Sequence, residues 1–491
     1  MKGAIACGNR YTALAGQKIL EAGGNAFDAL VAAAFASGVT EAALTSLGGG
    51  GFALVHQASN ERTLIYDFFV NTPGLGAPGK KPQDFQKVTL HFAASSQDFN
   101  IGLASVAVPG TLKGLVCIHQ DLGSLPLKRV VQPAVHFARE GFVIDAFQAY
   151  CFAILEPIFK STPESTAIFC PQGRPPKAGE RLRNPLLADF LEGLPETLES
   201  FYKGEIAHRI AQLMAEGGGL LTQEDLSAYQ VILREPLRFD FSRGVLFTNP
   251  PPAFGGGMVA LSLQLFENSF SEGAFLSREH LLALGQALYE AHHLREGVIK
   301  DQPQRILSLL NQRPRASRGT THISVVDGQG NLAALTMTFG EASGYLAPRT
   351  GIVLNNIMGE DDLHPRGFFA DPPGRRVASM MAPSLLVSEG TKTALGSGGS
   401  KRIRSAIFEV IANLTFFGLP PEKAVSAPRA HFDGERLQIE PGFPPEATED
   451  LPWPHNIWPV KDLYFGGVHL VNDQFQGAGD QRRAGIFALV E

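Results

Sequence analysis

Charge is scarce in this chain of 491 residues. Asp, Glu, Lys and Arg make up 18% of it, against roughly 25% in an average globular protein. With 44% hydrophobic residues, that balance excludes a polar tail or a disordered chain and implies a large buried core. The net charge is −6 and there is no long basic run, which argues against nucleic acid or an anionic membrane as a partner. Cysteine is equally sparse. Cys7, Cys117, Cys151 and Cys170 form no CxxC pair and no metal-ligand spacing, so reduced thiols are expected rather than a disulfide framework. Long apolar runs are missing too. The opening MKGAIACGNRY has a shorter apolar stretch than the roughly 7–15 residues of a signal-peptide core. Ala29 to Ala36 falls far short of the roughly 20 residues that cross a bilayer. A cytoplasmic protein without a membrane or nucleic-acid partner is the expectation.

Glycine, by contrast, is abundant: 53 of the 491 residues, against about 7% on average, and clustered in runs. Around these runs the periodicity predicts elements. Thr12 to Ala22 reads as an amphipathic helix stopped by Gly23-Gly24. Asn25 is placed to cap a second helix, with Asp28 in its first turn, and Ala26 to Ser37 is apolar nearly all round, hence buried. Ser46 to Val55 is a glycine loop opening a strand. From about residue 110 to 240, helices such as Leu127 to Arg139 and Ile206 to Glu216 alternate with Pro/Gly-rich loops. NPPPAFGGG, Asn249 to Gly257, reads as a connector ahead of another helix, and RPRASRG, Arg313 to Gly319, as an exposed, cleavable loop. Strands follow at Gly351 to Leu354, Pro383 to Val387 and Lys392 to Leu395, then a helix from about Ile403 to Phe417. Helices, then strands, then helices again predict a layered α+β fold.

The segment GTTHISVVDGQGNLAALTMTFG, Gly319 to Gly340, reads as a β-hairpin with a five-residue turn, Asp327 to Asn331. If Val326 pairs with Leu332, Thr320 stands opposite Thr338 on the same face at the free end. A Thr pair is what starts many strands. It is also what an N-terminal nucleophile needs. A threonine hydroxyl is weak until a base takes its proton, and its own α-amine serves once the residue is the N-terminus. That amine has a pKa near 7.7–8.0, so part of it is neutral at physiological pH. Gly319 permits the unusual backbone that would expose its carbonyl to Thr320.

GSGGSKRIRSAIFEV, Gly396 to Val410, offers what such a nucleophile requires in an acyl transfer. Read as a glycine turn between a strand and a helix, it lets the amides of Gly398 and Gly399 face a developing oxyanion. The spacing does not match a P-loop, and no H-E-x-x-H or EF-hand pattern occurs, so neither a nucleotide nor a metal is implied. Glu360, Asp361, Asp362 and His364 in NNIMGEDDLHPRG read as a solvated acidic loop that can also receive a substrate ammonium.

In order along nearly the whole chain, these motifs resemble the γ-glutamyltranspeptidase family of N-terminal nucleophile hydrolases. AGQKILEAGGNAFDALVAAAF, the run Gly48 to Gly51, VPGTLKGL, QPAVHFAREGF, FYKGEIA, GGGLLTQEDLSAY, PPPAFGGG, TTHISVVDGQGN, GIVLNN, MAPSL and GSGGSKRI carry the likeness. It implies a four-layer αββα sandwich, with no cofactor and no metal. It also implies a precursor cut before Thr320, giving intertwined subunits 1–319 and 320–491. Thr320 would be nucleophile and base, Thr338 its support, Gly398 and Gly399 the oxyanion hole, and Ser379, Glu360 and Asp361 the substrate contacts. The substrate would be a small-molecule amide, γ-glutamyl or similar, with water or an amine as acceptor. The chain departs from the family pattern at Phe69, where an arginine would grip the glutamyl α-carboxylate, and at Gly340, Ile357 and Met380, where asparagine, glutamine and a second serine are expected. Arg349, Arg366 and Arg375 are the remaining candidates for that grip. An acylase for another amide, such as a dicarboxylic acyl amide, or a silent homologue with a binding role are the competing functions.

Overall fold

The apolar helix Ala26–Thr40 has no polar face to give to water, and all of its residues are buried. Its N-terminus is closed by a capping box: the Asn25 side chain accepts from the Asp28 amide while Asp28 accepts from the Asn25 amide. With Arg10–Glu21 it packs on one face of a seven-stranded sheet. These elements belong to a computed structural model that describes residues 1–92, 95–294, 320–364 and 367–491.

The seven strands run, edge to edge, Ile486–Val490, Gly3–Cys7, Thr321–Asp327, Leu332–Thr338, Gly50–Gln57, Arg62–Asp67 and Ile232–Arg234, all antiparallel. A second antiparallel sheet has the order Gly477–Ala478, Gly467–Asn472, Thr391–Gly398, Ser384–Ser388, Gly244–Thr248 and Leu237–Phe241. The two sheets face each other through the hairpin strands and Thr391–Gly398. Ala4, Phe52, Leu54 and Ala334 on one side join Leu385, Ala394 and Val471 on the other in one buried cluster. Helices Gly255–Ser269 and Ile403–Thr415 cover the far side of the second sheet. The layers are therefore helix, sheet, sheet, helix, the expected αββα sandwich. Both sheets contain strands from before and from after Thr320. Among the described residues no helix is long and apolar enough to cross a membrane.

Several elements differ from expectation. The apolar stretch near the start is a strand, Gly3–Cys7, buried throughout and paired on both sides; without alternation it carried no strand signal. The hairpin register is the predicted one, Thr321 against Met337 and Val326 against Leu332, but Asp327 belongs to the strand. Its carboxylate accepts from the amides of Gln329 and Asn331 and from the Ala26 amide of the buried helix, tying the turn to the layer below. The glycines of NPPPAFGGG form the first turn of helix Gly255–Ser269 rather than a connector. The stretch expected as strand Gly351 to Leu354 makes only isolated bridges. There the Ser46 hydroxyl takes up the Val353 carbonyl, and the Ser343 hydroxyl and amide take up that of Leu354, in place of a ladder. The expected loop Arg313 to Gly319 lies outside the described residues.

Candidate active site

Thr320 and Thr338 come together at the open end of the hairpin, 3% and 7% exposed. One step beyond the Thr321–Met337 pair, the same register sets them face to face on the side toward the second sheet. The Thr338 hydroxyl oxygen accepts from the Gly340 amide at 3.0 Å. Behind them, on the same face, His322 bridges two hydroxyls, Thr336 at 2.7 Å and Ser324 at 2.9 Å. Ser324 donates to the His469 carbonyl, so Nε2–H donates to Ser324 and Nδ1 accepts from Thr336. Burial, reinforced by His469, holds His322 well below the usual imidazole range, and the ring is neutral.

On the opposite face of the strand, Thr321 donates to Glu41 Oε2 and Thr12 to Glu41 Oε1, each at 2.6 Å. Burial pushes the Glu41 carboxyl upward, and these two hydroxyl bonds oppose it. Glu41 thus ties the start of the hairpin to the ends of two helices. Sequence reasoning missed it, because one acidic residue after an apolar helix carries no motif.

The glycine stretch expected as a turn is mostly strand. Thr391–Gly398 continues through Gly396 and Gly398, with Gly398 paired to Gly467. Gly396 lies over the His322 ring and Gly398 over the Thr320 carbonyl, so closely that a Cβ at either would overlap it. The lack of side chains lets the sheets meet here. Gly399, at φ +117, turns the chain into the short 3-10 turn Ser400–Arg402 ahead of helix Ile403–Thr415.

Gly399 and Gly340 both line a cavity of about 110 Å³ whose polar side holds Glu341, Arg402 and Arg483, and whose other walls include Leu44, Tyr150, Ile154 and Leu155. Glu341 also lines a second cavity, about 140 Å³, with Asn100, Gly359, Glu360, Asp361 and Lys401. Glu360 and Asp361 are therefore brought to the hairpin end. A Cβ on Gly340 would stand 2.5 Å from Glu360 Oε1 and would overlap the Asn356 amide oxygen, and the backbone there has φ +72. No larger residue fits that turn. Ser379 lines neither cavity; its hydroxyl accepts from the Met381 amide and its carbonyl from the Phe254 amide. Among the described residues no three of His, Cys, Asp and Glu converge as a metal would require.

The sequence pattern of the family described as "Gamma-glutamyltranspeptidase" matches residues 12–312 and 302–490. The chain belongs to that family. It is 32% identical to a glutathione hydrolase proenzyme of Escherichia coli (strain K12), over 92% of this chain and 84% of the relative. It is 30% identical to an acylase ACY 1 proenzyme of Pseudomonas sp. (strain V22), over 92% of this chain and 86% of the relative. Among solved structures it resembles the cephalosporin acylase from Bacillus halodurans, with a TM-score of 0.83 at 25% identity, covering 100% of this chain and 96% of that one. The fold is that of the N-terminal nucleophile hydrolases, and the relatives are hydrolases and acylases.

Phe69, where the family resemblance implies an arginine, does not face the site. Phe69 is fully buried, its ring stacked on Phe52 with centroids 5.6 Å apart, and it lines neither cavity. Its carbonyl accepts from Tyr229 and from Arg376, which also pairs with Asp67 at 3.2 Å. The alternatives are no better placed. Arg349 is exposed, Arg375 pairs with Asp371 at 2.8 Å, and Arg366 lies outside the described residues.

Arg483, which lines the first cavity together with Arg402, follows a buried ion network. Asp480 accepts from Arg429 at 2.6 Å and Arg482 at 3.2 Å, and Arg482 also pairs with Glu440. Burial works to raise the Asp480 carboxyl, but Arg429 and Arg482 outweigh it and hold it at about 2. A depressed folded pKa stabilises above the unfolded value, near 3.9, and that stability is lost as pH falls toward 2. Asp480→Asn should therefore cost about 3–5 kcal/mol at neutral pH, the usual result of removing one partner of a buried pair. Thermal unfolding should show the gap between variant and wild type closing between pH 4 and pH 2. A gap that stays constant across that window would contradict this account of Asp480.

Proposed function

We propose that this chain is a self-processing amidohydrolase or acyltransferase that works through an acyl-enzyme on Thr320, freed as the N-terminus of residues 320–491. The observation that carries this is the meeting of Thr320, Thr338 and the Gly398 strand at one end of the hairpin, beside the cavity lined by Gly340, Glu341 and Gly399. The proenzyme names of the relatives support cleavage of the precursor.

In maturation, the Thr320 hydroxyl attacks the Gly319 carbonyl carbon and the Gly319–Thr320 C–N bond breaks. The hydroxyl proton passes to the departing amine, and water opens the resulting ester. In turnover, the freed α-amine takes the Thr320 hydroxyl proton as Oγ attacks the substrate amide, and delivers it to the leaving amine. Thr338 orients the amine or the hydroxyl, and the Gly398–Gly399 amides receive the oxyanion. Water or an acceptor amine then takes the acyl group and restores the Thr320 hydroxyl.

The burial of Phe69 and of the Arg376 pair beneath it supports an acyl pocket without the family's usual carboxylate grip at that position. Glu360 and Asp361 lie on the side where a substrate ammonium would enter. To test the acyl-enzyme, matured protein is mixed with an acyl p-nitroanilide and quenched during turnover. The 320–491 chain should gain the mass of the acyl group, with the adduct on its first residue. Release of p-nitroaniline with the adduct on another residue would overturn the assignment of Thr320.

A further inference from the structure

Glu41 is 3% exposed, and no cation among the described residues pairs with it. The groups that face it are the Thr12 and Thr321 hydroxyls, the thiols of Cys7 and Cys151, the Asp145 carboxylate and the His469 ring. Burial, reinforced by Glu41, pushes the Cys7 thiol far up, and burial holds His469 down at about 4, so both are neutral. A carboxyl in such surroundings is costly, and an apolar residue would close the helix end at lower cost. What the carboxyl adds is direction. Glu41 ends helix Ala26–Thr40, its amide donating to the Ser37 carbonyl and its carbonyl accepting from the Leu44 and Thr45 amides. Thr12, on helix Arg10–Glu21, holds Oε1, and Oε2 takes the Thr321 hydroxyl at 2.6 Å. Gly8 keeps that contact clear: a Cβ there would stand 3.3 Å from Glu41 Oε2 and 3.5 Å from Thr321 Oγ1.

Thr321 needs an anchor because the sheet holds it on one side only. On the side of Gly3–Cys7 the ladder stops at the Cys7–Ile323 pair, two residues short of Thr321. On the other side Thr321–Met337 is the last pair. Successive residues of a strand point to opposite faces, so the peptide that carries Thr321 toward Glu41 carries Thr320 toward the second sheet. A β-branched side chain held by its hydroxyl has little freedom at χ1, and fixing it fixes the tilt of that peptide. We propose that Glu41 is a positioning residue for self-cleavage and turnover: through the Thr321 hydroxyl it holds the last rung of the hairpin, and with it the direction of the Thr320 hydroxyl. This rests on Thr320 as the nucleophile.

The test follows self-cleavage of precursor made by cell-free translation, with Tm measured on each variant. Thr321→Val keeps the shape and loses the hydroxyl; it should cleave about tenfold or more slowly, as the loss of a hydrogen bond to a charged group implies. Glu41→Ala should be slowed alike, and the double variant no further than the slower single one, because both remove one interaction. Glu41→Gln, whose amide oxygen still accepts from Thr321, should recover most of the rate. Thr12→Val, which removes only the bond to Oε1, should lower Tm yet cleave at close to the wild-type rate. In matured Thr321→Val, kcat should fall with KM kept, the mark of an interaction that acts in the transition state. Effects that add in the double variant, or equal slowing in Thr12→Val and Thr321→Val, would mean that Glu41 only stabilises the helix layer, and would overturn the proposal. Hydrogen exchange of strand Thr321–Asp327 in the full-length Thr320→Ala background gives a readout apart from cleavage. Exchange should quicken on adding Glu41→Ala or Thr321→Val, and not on adding Thr12→Val. A wild type that never cleaves would count against the Thr320 reading alone, while exchange unmoved by Glu41→Ala would overturn the role of Glu41.

Discussion

Thr320→Ala should stay a single full-length chain, while wild type separates into pieces 1–319 and 320–491. The smaller wild-type piece should begin Thr-Thr-His by Edman sequencing. The expected effect is complete because alanine has neither the oxygen that attacks the Gly319 carbonyl nor one to carry the acyl group afterwards. Burial of Thr320 at 3% exposure leaves an outside protease little access to that residue in the folded state, which favours cleavage from within. Thr320→Ser, which keeps the oxygen, should still be cut. If Thr320→Ala is cut at the same bond, an external protease does the work and the intramolecular mechanism fails. If wild type stays whole, the chain is a silent homologue and the competing binding role takes its place.

The parts of this architecture that were legible in the sequence are those fixed by local chemistry. The capping residue Asn25, the helix without a polar face and the hairpin register from Thr321 to Thr338 all follow from side-chain pattern alone. Element order implied a layered α+β fold, and the four-layer αββα arrangement was implied by the family resemblance. What could not be read was set by contacts between distant segments. Gly3–Cys7 is a strand because Thr321–Asp327 and Ile486–Val490 flank it, and its own residues do not alternate. Gly396 and Gly398 looked like a turn because glycine normally marks one; the sheet opposite makes them strand. Phe69 stands out in the sequence as a departure from the family pattern, but its enclosure in the core by the Phe52 stack and the Arg376–Asp67 pair depends on distant segments. Glu41 and Arg483 carried no motif at all. Each becomes a candidate for function only through what it faces: the Thr321 hydroxyl for one, the cavity beside the Gly398–Gly399 turn for the other.

Gly398→Ala should lose at least about 100-fold in turnover, whatever the acyl group, because a 1 Å displacement of a catalytic group costs on that order. The added methyl would fall on the Thr320 carbonyl, and the atoms it meets are backbone. Neither side yields easily. Gly398 is paired to Gly467 in the second sheet, and Thr320 leads directly into a strand paired on both sides in the first. The sheets must part or Thr320 must turn, and either takes its hydroxyl away from Thr338. Loss of stability alone would also lower activity, so the comparison is Gly390→Ala. Gly390 sits in the turn between Ser384–Ser388 and Thr391–Gly398 at φ +78, where alanine is strained but meets nothing within 4 Å. It should lower stability by roughly the 1–2 kcal/mol that a left-handed alanine costs, read as a lower Tm, and leave the turnover of the folded protein intact. Gly398→Ala with near-wild-type turnover would show that the gap between the sheets relaxes around a methyl group. The close approach at Gly398 would then not be what sets the position of Thr320.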